Sequence, residues 1–201
     1  MQLASTGRIF HLSGAKIEMT LKLSTLSILL GLAIGLPQLY GIINPAGFAA
    51  AVRKFPRSLP AGYALMLLGT AWFLFNLSQE SISDFAAFKT PLLAGFAAVG
   101  LGGCVFVQDF LAVRGLAVVL LLLAKLMVDS GRPHLSETPW AVVIQALAYV
   151  LVLAGMWFTV SPWRLRDFLE WGTANEKRIK VGCGIRLALG VFVAVLGLAK
   201  F

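Results

Sequence analysis

Six apolar stretches, at 23–43, 61–77, 91–108, 110–128, 139–160 and 181–199, take up most of this 201-residue chain. A hydrocarbon core roughly 30 Å thick needs about 20 residues of α-helix to cross, with about 17 as the lower limit. Each stretch meets that length or nearly does, and little hydrophilic sequence is left between them. The chain therefore reads as all-α: a polytopic membrane bundle of about six transmembrane helices with one short interfacial helix.

Composition agrees with that solvent. Hydrophobic residues make up 59% of the chain and charged residues 13%, with a mean hydropathy of +0.86. Ordinary soluble domains carry about twice that charge. No room remains for a separate soluble domain, so 1–21 reads as an N-terminal tail and 22–201 as a single transmembrane domain. Met19, in the run Met-Thr-Leu-Lys-Leu-Ser, reads like a natural start. Leu26–Leu36 could serve as the apolar region of a signal peptide, but the uncharged run continues from Leu23 to Val52, too long for one.

The net charge of +8 takes its meaning from position. Nucleic-acid binding wants a sizeable solvated basic face, which this sequence does not offer. The cations instead flank spans, as the positive-inside rule produces. With six spans, the first, third and fifth loops share one side and hold Arg53, Lys54, Arg57, Arg114, Arg164, Arg166, Lys177, Arg178 and Lys180. Arg8, Lys16, Lys22, Lys89, Lys125, Arg132 and Lys200 fall on the other. The expected topology is multi-pass in a bacterial cytoplasmic membrane, both termini outside the cytoplasm, with anionic headgroups as partners of the basic loops. Cys104 and Cys183 both lie within spans, without CxxC spacing, and read as buried small hydrophobes.

Along the chain, Gly31 and Gly35 are spaced for close helix approach, and Pro37 should bend the first span. Asn44-Pro45-Ala46-Gly47 should end it as a turn. Spans three and four form a tight hairpin about Gln108-Asp109. Arg114 and Lys125, roughly 16 Å apart along the fourth span, should reach opposite interfaces, and Lys125 can pair with Asp129. Gln145 and Tyr149, one turn apart, should hydrogen-bond to a neighbouring helix. Ser161 is the expected N-cap of a short interfacial helix with Pro162 at its first position. Its apolar face would be Leu165, Phe168 and Leu169, with Arg166, Asp167 and Glu170 pointing away. The two ends echo one another: apolar span, Asn/Ser-Pro, basic amphipathic stretch, Gly-containing span. Both basic stretches should then lie on the same side.

Ser161-Pro162-Trp163-Arg164-Leu165-Arg166, Lys177-Arg178-Ile179 and the glycines Gly182, Gly190 and Gly197 resemble small two-helix bacterial inner-membrane proteins of the YjeT type. That resemblance covers the C-terminal quarter of the chain and implies no activity. Arg186-Leu187-Ala188-Leu189-Gly190, with Gly197 and Lys200, is similar to the opening helix of DoxX-type membrane proteins, although here the segment closes the chain. Lys125-x6-Arg132-Pro133 resembles the first motif of lipid-phosphate phosphatases of the PAP2 superfamily, whose Lys and Arg neutralise a phosphoryl group. That family also uses a PSGH-type motif and a histidine nucleophile in SRx5HxxxD spacing. Nothing after Pro133 fits, and His134 is the last histidine. Lys125 and Arg132 could thus contact an anionic headgroup but not hydrolyse it.

With histidines only at 11 and 134, no haem site is expected, nor any other cofactor or metal centre. A transporter would draw on the polar intramembrane residues Gln38, Gln145, Tyr149 and Arg186, but no acidic residue lies at an expected midplane. The leading expectation is a non-catalytic accessory, scaffold or binding subunit whose partners are other membrane subunits or copies of itself. A small-solute or lipid transporter is the alternative, and a lipid-headgroup enzyme acting through Lys125 and Arg132 is a third reading.

Overall fold

A computed structural model describes residues 22–80 and 88–201. Among them eight α-helices and two short 3-10 turns alternate, with no strand. The helices are α1 (Leu23–Ile43), α2 (Pro45–Lys54), α3 (Leu59–Gln79), α4 (Lys89–Phe106), α5 (Leu111–Gly131), α6 (Ala141–Val160), α7 (Trp163–Gly172) and α8 (Glu176–Ala199). Six of them, α1, α3, α4, α5, α6 and α8, are long and apolar enough to cross a membrane. The chain is a multi-pass membrane protein of helical-bundle architecture. In hydrocarbon only a helix or a closed barrel satisfies every backbone polar group, so the six apolar runs had little alternative to helix.

Small residues set the register of each helix pair. On α1, Ser27, Gly31 and Gly35 recur every four residues and meet Gly190, Ala194 and Gly197 of α8. A Cβ placed on Gly31 would come within 2.6 Å of the Ala194 amide nitrogen, and one on Gly190 within 2.7 Å of the Gly31 carbonyl oxygen. The two backbones thus touch, the arrangement that small-xxx-small spacing permits. Further along, Gly41 faces Cys183, so α1 and α8 run antiparallel. Helices α3 and α5 run parallel, as Gly62 packs on Leu111 and Ala112, Gly115 on Leu65 and Met66, and Gly69 on Val118. Gly155 of α6 fits over Leu121 of α5, and Gly100 of α4 over Thr70 of α3. Helix α5 is thereby central, and α4 leans on α3 at the edge, with Phe73 and Phe96 edge to face at 4.9 Å.

The apolar core lies toward one end of the bundle: Leu23, Leu26 and Leu30 of α1, Met127 of α5, Ala141, Ile144 and Ala148 of α6, and Val193 of α8. The other end is built by connections. Expected as a turn, Asn44-Pro45-Ala46-Gly47 instead starts α2, since the Asn44 Oδ1 accepts a 2.9 Å hydrogen bond from the Gly47 amide and Pro45 occupies the first helical position. At the matching junction Ser161 makes no capping bond, and α7 begins at Trp163, with Pro162 just outside it. Pro37 sits within α1, which continues through it; the Gln38 side chain donates to the Ile34 carbonyl one turn back. The hairpin between α4 and α5 turns at Phe110, whose φ of 55° is left-handed. For a residue with a Cβ that conformation costs on the order of 1–2 kcal/mol, which the packing of Leu111 into the interface with α3 offsets.

Candidate functional site

The intramembrane polar groups come first, since a solute pathway would have to be made of them. Five bond to their own helix: the side chains of Ser27, Gln38, Thr70, Asn76 and Thr159 each donate to a carbonyl four residues back, although the buried Gln38 Oε1 meets no donor among the described residues. Gln145 reaches across, its Nε2 donating to the Val128 carbonyl of α5 at 3.2 Å. It is buried, and Gly131 leaves the room it occupies. Tyr149, expected to share that role, points outward and is 62% exposed, because one turn plus 40° of rotation carries it past the α5 contact. Arg186 lies on the exposed face of α8. Gln38 sits level with the Cys183–Leu187 turn of α8, and Gln145 sits by Gly131 near the other end of the bundle. Gln38, Gln145, Tyr149 and Arg186 are therefore not brought together.

At the end bearing α5's C-terminus, the Lys125 ammonium lies 2.8 Å from the Asp129 carboxylate. Arg132 begins the following 3-10 turn and is exposed. His134 pairs with Glu137 at 2.7 Å. A phosphoryl group approaching Lys125 would have to displace a carboxylate of like charge.

The opposite end gathers the basic loops. The Arg53 guanidinium, in the last turn of α2, donates from Nε to the Thr173 hydroxyl at 2.8 Å and from Nη2 to the Thr173 carbonyl at 2.7 Å. The Thr173 hydroxyl in turn donates to the Leu169 carbonyl, so the end of α7 is fixed at the same time. This clasp joins segments 120 residues apart and places the α1–α3 and α6–α8 connections on one face. Against α5's N-terminus packs the 3-10 turn Phe55–Arg57, in which Pro56 is fully buried. The turn between α4 and α5 lies there too, with the Gln108 amide donating to the Tyr63 hydroxyl at 3.3 Å. All nine cations assigned by sequence to the odd-numbered loops therefore sit on one end of the bundle.

On α7, Leu165 is buried and Leu169 half-buried, but Phe168 is 52% exposed and stacks on Trp171, with centroids 6.3 Å apart. The expected three-residue apolar face is thus split. Leu165 holds α7 to the bundle, and Phe168 and Trp171 form a separate outward aromatic strip. Arg178 reaches over the Trp171 ring at 5.2 Å. Arg166 is held by Asp167 at 2.8 Å, with Glu170 beyond at 3.8 Å; the hydrogen bond to Asp167 pushes the guanidinium further above its already high ordinary value. Lys180 pairs with Glu176.

Sequence reasoning found the cations of this face but not the Arg53–Thr173 clasp, since Thr173 carries no sequence signal. Cys104 and Cys183 are both free and buried. Comparison with protein-family models, with curated proteins and with solved structures gives no match for this chain.

Proposed function

We propose that this protein is a non-catalytic scaffold or binding subunit of a bacterial cytoplasmic membrane, with its basic face in the cytoplasm and both termini outside. The observation that carries this reading is the clasped pair α2 and α7. Two amphipathic ten-residue helices from opposite halves of the chain are locked into one cationic, aromatic-edged platform at the ends of the spans. Cations retained in the cytoplasm set orientation, and near an anionic leaflet each contributes about 1 kcal/mol of attraction. Amphipathic helices with basic residues and aromatics lie naturally in that layer.

What the bundle would hold in place is another membrane component. Long stretches of α6 and α8, including Leu153, Met156 and Trp157 on α6 and Ile185 and Val195 on α8, are apolar and outward-facing. Such surfaces suit lipid and other transmembrane helices alike. The pairing of Lys125 with Asp129 counts against a headgroup enzyme at that end, and the separation of Gln38 from Gln145 counts against a solute path built on them.

Two measurements test the proposal. Single cysteines at Arg57 and Lys177 should both be blocked from an impermeant thiol reagent in intact cells, with one at Glu137 labelled. Mild-detergent purification should retain a stoichiometric membrane partner or a defined self-oligomer. A partner-free monomer that moves a solute in liposomes would replace this reading with transport.

A further inference from the structure

Four of the nine cations on the basic face are occupied within the chain: Arg53 by Thr173, Arg166 by Asp167, Arg178 by Trp171 and Lys180 by Glu176. Arg114 differs from the rest. It lies on the first turn of α5, half-buried in the protein, and its Nε is closed off from solvent without meeting an acceptor among the described residues. A guanidinium does not shed its proton. A shielded donor of a charged group at the lip of the hydrocarbon is costly to leave unmet, which favours an anionic acceptor from beyond the described residues.

We propose that Arg114, together with Arg57, holds the phosphate of an acidic phospholipid at the corner between α3 and α5. The placement carries the argument. Arg57 ends the 3-10 turn that packs on α5, next to the buried Pro56, so the two cations come from touching elements. Their depth is marked by the Tyr63–Gln108 hydrogen bond on the same corner, a polar belt at the level where headgroups begin. Guanidinium presents a planar fork of donors that matches phosphate oxygens two at a time. An open hollow of about 340 Å³ beside the α4–α5 turn is lined by Val105, Phe106, Val107, Gln108 and Asp109; its sole charge is negative, so the hollow itself does not suit a phosphate. The site rests on the reading that the basic face abuts the headgroup layer.

The full chain in mild detergent, titrated with phosphatidylglycerol, phosphatidylcholine and inorganic phosphate and observed by native mass spectrometry, tests this directly. Phosphatidylglycerol should bind at least about fivefold more tightly than phosphatidylcholine. Arg114→Gln and Arg57→Gln should each weaken it by about fivefold. Arg114→Lys should fall between, since it keeps the charge and loses the fork. Lys200→Gln, at the far end of the bundle, should bind as the wild type does. Equal retention of the two lipids by the wild type overturns the site, as does a folded Arg114→Gln protein of undiminished affinity. Displacement of the lipid by equimolar inorganic phosphate overturns the lipid as its source. Should Arg114→Gln fail to fold, Arg57→Gln and the wild-type lipid preference decide. A failure here leaves the thiol-labelling result intact, so the site and the topology can fail separately.

Discussion

Helices α1 and α4 are both peripheral spans, yet they are held in opposite ways. Helix α1 meets α8 backbone to backbone along Ser27, Gly31 and Gly35, and contributes Leu23, Leu26 and Leu30 to the core. Helix α4 touches α3 through Gly100, Gly103 and Phe96 and leaves most of its surface apolar and outward. Lipid tails are as apolar as leucine, so burial of apolar area gives no reason for one helix to prefer another inside a bilayer. Close packing and hydrogen bonds decide instead. The contrast teaches that glycine content alone does not fasten a span: α4 carries Gly95, Gly100, Gly102 and Gly103, and Gly95 has nothing within contact distance.

The heaviest blow to that contrast would fall on the seam. Gly31→Leu or Gly190→Leu puts a side chain where the facing backbone already is, and backbone cannot swing aside as a side-chain end can. We expect a loss of about 3 kcal/mol, the upper range for overpacking. The read-out is detergent-induced unfolding followed through the five tryptophans. A shift under about 1 kcal/mol for both variants would mean that α1 and α8 are not in backbone contact.

Smaller effects are expected where polar contacts do the fastening. Arg53→Ala removes both bonds of the clasp and should cost about 2 kcal/mol. Thr173→Val removes the hydroxyl, with its bond from Arg53 and its own bond to the Leu169 carbonyl one turn back, and leaves the Thr173 carbonyl. It should cost about 1 kcal/mol, since such a local back-bond adds little. Protease sensitivity of the 172–176 connection should rise in the same order. Equal effects would show that the bond to the Thr173 carbonyl is worth no more than the hydroxyl's bond to Leu169. Below these comes Gln145→Leu, which deletes the hydrogen bond that joins α6 to α5 and should cost about 0.6 kcal/mol. Gly131→Ala, pressing on the same amide, should cost no more, since the Gln145 amide is the free end of a flexible side chain.

How far the sequence foretold these contacts depends on what fixes each one. All six spans were legible because hydrocarbon leaves a backbone few options, and the Gly31–Gly35 spacing foretold a close approach that is present. The common side of the two basic stretches was legible from the parity of six crossings. Side-chain partners were less so. Gln145 and Tyr149 share a sequence pattern, but 40° of rotation separates a buried amide from a lipid-facing phenol. Asn44 and Ser161 look like equivalent caps and share nearly the same backbone angles, yet only Asn44 forms the bond, because it stands directly before its helix while α7 starts one residue later, beyond Pro162. Thr173 gave no sign at all, since nothing local distinguishes a threonine that receives an arginine from across the fold.

The weakest expected effect sharpens the comparison most. On α8, Gly182 and Gly184 resemble the seam glycines in sequence, yet a Cβ at either meets nothing within 4 Å, and the same holds for Gly95 on α4. Replacing any of the three by alanine removes glycine's backbone freedom without a clash, so stability should stay level or rise by a few tenths of a kcal/mol. The seam variants Gly31→Ala and Gly190→Ala should lose stability in the same unfolding assay, because even a methyl group there lands on backbone. If Gly182→Ala destabilised the protein as much as Gly190→Ala does, the outward face of α8 would itself be an occupied helix contact, and a partner helix would have to sit against it.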